Sequence, residues 1–174
     1  MTRPTSDRVR EAIASAVESR GGFAETQVLD LFSGTGAMAI EALSRGAARA
    51  VLVEKDRMAA RAIEESLGSL GLSDRASVAL VDLSSRGASA KLVGPFDRVF
   101  LDPPYAEAAL VPALLDTLAP LLSSGALVVF EHPSGLDPTL GAAFETLVNK
   151  RYGDSAVLFA RYAPPSVAST PVSK

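Results

Sequence analysis

Apolar residues fall along this chain in two rhythms, short unbroken runs and helical spacings, and their alternation predicts strands alternating with helices. From Asp7 to about Glu18, Val9, Ala12, Ile13, Ala16 and Val17 keep to one helical face. Thr5, Ser6 or Asp7 can cap that helix, and Gly21-Gly22 ends it. Gln27 to Phe32 reads as a short apolar strand broken by one acid, Asp30, and Ser33-Gly34-Thr35-Gly36 as a tight turn. A helix from about Ala37 carries Met38, Ile40, Ala42 and Leu43 and stops at Gly46. A second run, Ala50 to Val53, ends in Glu54, and Asp56 is a good N-cap for a helix through Leu70, with Gly71 as its stop. Ser77 to Val81 is a third strand, again followed by an acid, Asp82. Gly87 to Val93 reads as a short helix, Phe96 to Leu101 as the fourth strand, and Glu107 to Leu122 as partly helical, broken at Pro120. Ala126 to Phe130 is a fifth strand closing on Glu131-His132-Pro133. Phe144 to Arg151 and Ser155 to Tyr162, joined at Tyr152-Gly153-Asp154, suit an antiparallel hairpin.

Strands apolar on both faces and alternating with helices indicate a three-layer α/β sandwich around a mostly parallel sheet. The final antiparallel hairpin narrows the class by fold-level analogy. Nucleotide-type doubly wound folds usually end on parallel strands; a seven-stranded sheet with an antiparallel last strand is the Rossmann-like class I SAM-dependent methyltransferase pattern. One domain is expected over residues 1–163, with 1–22 as an N-terminal helical segment packed on it. The tail 164–174 is Ser, Pro, Thr and Val without periodicity and reads as disordered.

Composition changes this picture mainly by exclusion. At 174 residues, 48% apolar and 21% charged, the chain can bury a substantial core. It has no cysteine, which excludes disulfides and thiolate chemistry, and its single histidine excludes a multi-histidine metal site. No metal is expected. There is no apolar leader after Met1 and no run of membrane-spanning length, so a cytoplasmic protein without a membrane partner is expected. The net charge of −3 counts mildly against a generic nucleic-acid binder. Arg3, Arg8 and Arg10, interleaved with Asp7 and Glu11, form either a local basic edge or a solvated helix face.

Candidate chemistry gathers where strands end. Glu54, Asp82, Asp102 and Glu131 each close a strand, with Asp30 inside the end of the first, so these carboxylates should line one crevice at the C-terminal edge of the sheet. The Gly34-Thr35-Gly36 turn, with a strand before it, a helix after it and Glu54 ending the next strand, suits either of two ligands. A dinucleotide would place its pyrophosphate on the helix N-terminus and its ribose on Glu54. S-adenosylmethionine (SAM) would place its methionine end near Asp30 and the glycines and its ribose on Glu54. Asp30 and the Asp102-Pro103-Pro104-Tyr105 segment tilt the choice toward SAM, because an ammonium group prefers a nearby carboxylate. His132 reads as a solvated loop residue, and Tyr152-Gly153-Asp154 as a hairpin turn.

Asp30-Leu-Phe-Ser-Gly-Thr-Gly36, Ile40-Glu-Ala-Leu-Ser-Arg-Gly46-Ala47, Val53-Glu-Lys-Asp56 and Phe100-Leu-Asp-Pro-Pro-Tyr105 together resemble the RsmD-type 16S ribosomal RNA guanine-N2 methyltransferases. Arg3-Pro-Thr-Ser-Asp-Arg-Val-Arg-Glu11 and Arg151-Tyr-Gly-Asp-Ser155 point to that family in particular, whereas Asp-Pro-Pro-Tyr alone marks any amino-group N-methyltransferase. The resemblance implies that Asp30, Ser33, Gly34 and Gly36 hold the amino-acid part of SAM and that Glu54 binds its ribose. Lys55 would flank the adenosine, Asp82 and Leu83 would contact adenine, and Thr5 and Arg8 would lie near the cofactor carboxylate. Asp102, Pro103, Pro104 and Tyr105 would form the catalytic loop. It also implies a monomer acting on ribosomal RNA within the small subunit or its precursor. Relatives carry a basic N-terminal extension before the Arg-Pro-Thr segment, and here that extension is expected to be missing. Two alternatives stay open: a DNA amino-methyltransferase with the same loop, and an NAD-type oxidoreductase or regulatory module using only the glycine-rich half of the site.

Overall fold

The computed structural model describes residues 7–166. Seven strands form one sheet in the order β3-β2-β1-β4-β5-β7-β6. They are β1 (Gln27–Leu31), β2 (Arg49–Glu54), β3 (Ala76–Leu80), β4 (Phe96–Leu101), β5 (Leu122–Pro133), β6 (Phe144–Tyr152) and β7 (Ser155–Tyr162). β1 to β5 pair in parallel, while β7 lies antiparallel between β5 and β6. The mostly parallel seven-stranded sheet with an antiparallel last strand is the arrangement the hydrophobic pattern predicts. Four α-helices accompany it among the described residues: α1 (Asp7–Glu18), α2 (Ala37–Ser44), α3 (Arg57–Ser69) and α4 (Val111–Leu118).

The two-residue period of the strands sorts their apolar side chains into two cores. Leu29, Leu31, Val99, Leu101, Val128, Phe130 and Leu158 face the side covered by α4 and the short turns around it. Val28, Phe100, Leu127, Val129, Val157 and Phe159 face the side where α1, α2 and α3 contribute Ile13, Val17, Leu43, Ile63 and Leu67. α3 starts where its sequence says it should, since the Asp56 carboxylate accepts from the Ala59 N–H at 2.7 Å. α1 ends at the N-terminal edge of the sheet, where Arg98 Nε donates to Gly22 O at 2.9 Å.

Three elements differ from the sequence expectation. Residues 88–91 form a single 3-10 turn, and 3-10 turns flank α4 on both sides (Tyr105–Leu110 and Ala119–Leu121). β5 is longer than the run Ala126 to Phe130, because pairing with β7 carries it through His132↔Ala156 and Pro133↔Ser155, beyond the last β4 partner. His132 is consequently a strand residue, 1% exposed, and not a solvated loop residue. Its Nδ1 lies 2.8 Å from Pro133 O and its Nε2 3.0 Å from Asn149 Oδ1, linking the end of β5 to β6 across β7.

Gly36 begins α2 at φ +76°, and a Cβ there would lie 3.0 Å from Leu52 Cδ2 and 3.2 Å from Ile63 Cγ2. The glycine is thus required by packing as well as by backbone conformation. Gly36→Ala should cost about 2–4 kcal/mol, combining left-handed strain with overpacking. Urea unfolding of the ligand-free protein measures it, and a loss below about 1 kcal/mol would show that the core yields to the added methyl.

Candidate functional site

Register alone brings the carboxylates together. Asp30 pairs with Leu52 on one side and Phe100 on the other, and Glu54 and Asp102 lie two residues beyond those partners. With a period of two, all three side chains leave the same face of adjacent strands. Glu131 continues the row one strand further, after the Leu101↔Phe130 pair. These acids therefore meet above the C-terminal edge, on the side that α2 covers.

Asp30 is 4% exposed, and its Oδ2 accepts from the Ala39 N–H in the first turn of α2 at 3.2 Å. Burial pushes its carboxyl up to about 8; the Ala39 hydrogen bond opposes this, and the charges of Asp102 and Glu54 add to it. A buried acid in this state is poised to ionise against a cation brought to it.

The turn after β1 is held from three directions. Phe32 and Gly34 take left-handed backbone at φ +58° and +56°. Ser33 N–H donates to Val53 O at 3.0 Å, Ser33 Oγ to Asp30 O at 2.6 Å, and Gly36 N–H to Ser33 O at 2.8 Å. Glu54 closes the arrangement: Oε2 accepts from the Gly34 N–H at 3.1 Å, and Oε1 from the Lys55 and Asp56 N–H groups, each at 2.9 Å. Gly34 has room around it, since an added Cβ would meet nothing nearer than Phe32 O at 4.0 Å. Of the two glycines, Gly34 faces the open edge and Gly36 faces the core.

Asp82 caps its own turn: its Oδ1 accepts from Ser84 N–H and Oγ at 2.9 and 2.6 Å, which hold the carboxyl below its usual range. Leu83 enters a cavity of about 380 Å³ that Phe32, Glu107, Leu110, Val111 and Leu114 also line. Lys55 Nζ donates to Glu107 Oε1 at 2.9 Å, and this partner raises the lysine above its ordinary range. Glu107 is a site residue that sequence reasoning does not find.

β4 ends at Leu101, and Asp102 to Tyr105 turn outward from it into the 3-10 segment Tyr105–Leu110. Asp102 and Pro104 are exposed, Pro103 is buried, and Tyr105 is 51% exposed on the same edge. Beyond that segment lies a groove of about 330 Å³ between Ala108, Ala109 and Pro112 on one wall and Leu136, Asp137 and Pro138 on the other.

The structure thus brings Asp30, Ser33, Gly34, Glu54, Lys55, Asp82, Leu83 and Asp102–Tyr105 to one edge, and turns Gly36 away into the packing beneath. Arg8 is an exposed residue in the first turn of α1. Thr5 lies outside the described residues. Among the described residues no cluster of acids and histidine could hold a metal ion, and no helix is long and apolar enough to cross a membrane.

A sequence model of the family described as "Conserved hypothetical protein 95" matches residues 1–161. The "Putative rRNA methyltransferase YlbH" of Bacillus subtilis is 37% identical over 134 residues, 75% of this chain and 71% of that protein. The "Ribosomal RNA small subunit methyltransferase D" of Escherichia coli K12 is 36% identical over 103 residues, 59% of this chain but only half of that protein. Among solved structures, the "Putative methyltransferase yhhF" of Escherichia coli superposes with a TM-score of 0.79 at 29% identity, covering 93% of this chain and 89% of that one. An RNA methyltransferase of Salinibacter ruber, solved with S-adenosyl-L-homocysteine, shares the fold at a TM-score of 0.70 and 20% identity, over 95% of this chain and 97% of that one. The fold is therefore that of the class I SAM-dependent methyltransferases.

Proposed function

Since the chain belongs to the family described as Conserved hypothetical protein 95, the RsmD family, we propose that it is a SAM-dependent ribosomal RNA methyltransferase, acting on the exocyclic N2 amine of a guanine in the small subunit. The observation that carries this reading is the convergence of Asp30, Glu54 and Asp102 at the ends of three adjacent strands. Buried Asp30 is placed to ionise against an ammonium, and the Glu54 and Asp102 carboxylates beside it oppose a pyrophosphate, so the geometry supports SAM over a dinucleotide. The names of the relatives support RNA over DNA as the substrate.

The residues present fit that cofactor. Asp30 would hold its ammonium group, Ser33 and Gly34 would line its amino-acid part, and Arg8 and Thr5 would lie toward its carboxylate. Gly36 would serve by setting the turn rather than by touching the ligand. Glu54 already gathers three backbone N–H groups and would turn toward the ribose diol. The cavity beside Leu83 would take the adenine, with Asp82 and Lys55 at its margin. SAM supplies a methyl group activated by its sulfonium.

The remaining work is positioning. A guanine amine is conjugated with its ring, so its lone pair is poorly available. Asp102 and the Pro103 carbonyl would accept its two N–H hydrogens, push electron density to nitrogen and aim it; Asp102 would then take the proton released as the N–C bond forms. Positioning of this kind can lower a barrier by roughly 7–11 kcal/mol. The Tyr105 ring would stack on the extruded base and offset part of an unstacking cost of about a few kcal/mol.

The test is methyl transfer from labelled SAM to unmodified small ribosomal subunits, naked small-subunit RNA and DNA in parallel, with calorimetry against SAM and NAD. Label on guanine N2 of the RNA is the expected result. Tight NAD binding without SAM binding, or label on DNA alone, would overturn the reading.

A further inference from the structure

We infer that Glu107 is a positioning residue for the transfer: through Lys55 it holds the turn carrying Asp102–Tyr105 in place against the end of β2, where the cofactor's ribose would sit. This inference rests on the methyl-transfer reading of the site. Its basis is a continuous path of contacts. The Glu54 carboxylate accepts from the Lys55 N–H at 2.9 Å, Lys55 Nζ donates to Glu107 Oε1 at 2.9 Å, and the Glu107 N–H donates to Pro104 O at 2.8 Å. One end of the path is the acid assigned to the ribose. The other is inside the segment assigned to the target amine.

Sheet order explains why two long side chains are needed. β2 and β4 are not neighbours, since β1 lies between them. At about 4.8 Å per strand their ends are roughly 10 Å apart, too far for a backbone contact. The Lys55–Glu107 pair spans that gap, linking the residue after β2 to the segment after β4. Glu107 also lines the 380 Å³ cavity with Phe32 and Leu83, so the bridge borders the space assigned to adenine. The tethered segment is a 3-10 turn, a conformation held by poorer hydrogen bonds than an α-helix, and it begins with the half-exposed Tyr105. An ion pair with side chains 51% and 27% exposed adds little to global stability. It can still matter to a reaction that depends on alignment, where a shift of about 1 Å is costly.

The experiment is a double-mutant cycle on the full chain with Glu107→Gln, Lys55→Met, both together, and the exchanged pair Lys55→Glu with Glu107→Lys. The readouts are amide hydrogen exchange of residues 105–110 without ligand, calorimetric Kd for S-adenosylhomocysteine, kcat at saturating SAM on small ribosomal subunits, and Tm. Glu107→Gln should speed exchange of that segment and lower kcat by up to about fivefold, with a smaller change in Kd and an unchanged Tm. The double variant should be no worse than the poorer single one, and the exchanged pair should recover exchange protection. Wild-type exchange and kcat in Glu107→Gln, or losses that add fully in the double variant, would overturn the inference. A wild-type protein that neither binds S-adenosylhomocysteine nor transfers methyl would instead sink the reading of the site itself.

Discussion

Asp102→Ala is expected to lose methyl transfer while keeping its affinity for SAM within a few-fold. The separation follows from where Asp102 sits. It leaves the end of β4 on the edge shared with Asp30 and Glu54, yet the cofactor's ammonium and ribose are assigned to those two acids and not to Asp102. Its proposed task is to orient the target amine and receive its proton, a role worth about 10²–10⁴-fold in rate. Removing its charge also relieves Asp30, whose carboxyl Asp102 helps to keep protonated. Cofactor binding near neutral pH should therefore hold steady or improve slightly. Single-turnover transfer measured beside calorimetry of the same preparation separates the two effects. An active Asp102→Ala enzyme would refute the assigned chemistry, and a large loss of SAM affinity would move Asp102 into the cofactor site.

Asp102 is legible in the sequence because its neighbours have few options. A buried run such as Val99-Phe100-Leu101 must stop before two prolines, which cannot donate to the ladder. Glu54 as the last residue of β2, Asp82 just beyond β3 and the glycine turn after β1 are legible because each apolar run there gives way to polar or turn-forming residues. Pairing over distance is what the sequence hides. The 3-10 segment gives no periodicity that would mark Glu107, and its partner Lys55 lies 52 residues away in the chain. His132 looks like a loop residue because the parallel pairing of β5 with β4 ends at Phe130, and only the later β7 supplies the partners that carry the strand onward. Gly36 reads as a ligand-contacting glycine from its motif, whereas its packing against Leu52 and Ile63 shows a second constraint that only the folded core imposes. Asp30 is the sharpest case. Its position is plain from the pattern, but its protonation depends on burial beneath α2 and on two acids from other strands.

That protonation has measurable consequences. With its carboxyl pushed up to about 8 by burial, Asp30 is neutral at pH 7 in the ligand-free protein. Holding the cofactor's ammonium requires the ionised form, so binding should release a proton. Below about pH 8 the Kd should worsen by about tenfold for each pH unit, while above it the ligand's own α-amino group, which titrates near 7.7–8.0, loses its charge. Affinity should thus peak near pH 8. Calorimetry in two buffers of different ionisation enthalpy reads the released proton directly. Asp30→Asn should flatten the pH dependence and weaken SAM binding by about ten- to a hundredfold, the worth of a charge-assisted hydrogen bond. Stability should move the opposite way. Between the unfolded carboxyl's titration near 4 and about 8, the folded protein holds one more proton at this site than the unfolded chain. Stability therefore falls as pH rises through that window and is flat above it. Asp30→Asn removes the penalty, so its Tm at pH 8.5 should exceed that of the wild type, with the difference shrinking toward pH 5. A wild-type SAM affinity that is flat from pH 6 to 8, or an Asp30→Asn protein no more stable at pH 8.5, would mean that Asp30 is already ionised in the empty site. Loss of binding together with gain of stability would mark Asp30 as a residue kept for the cofactor at the expense of the fold.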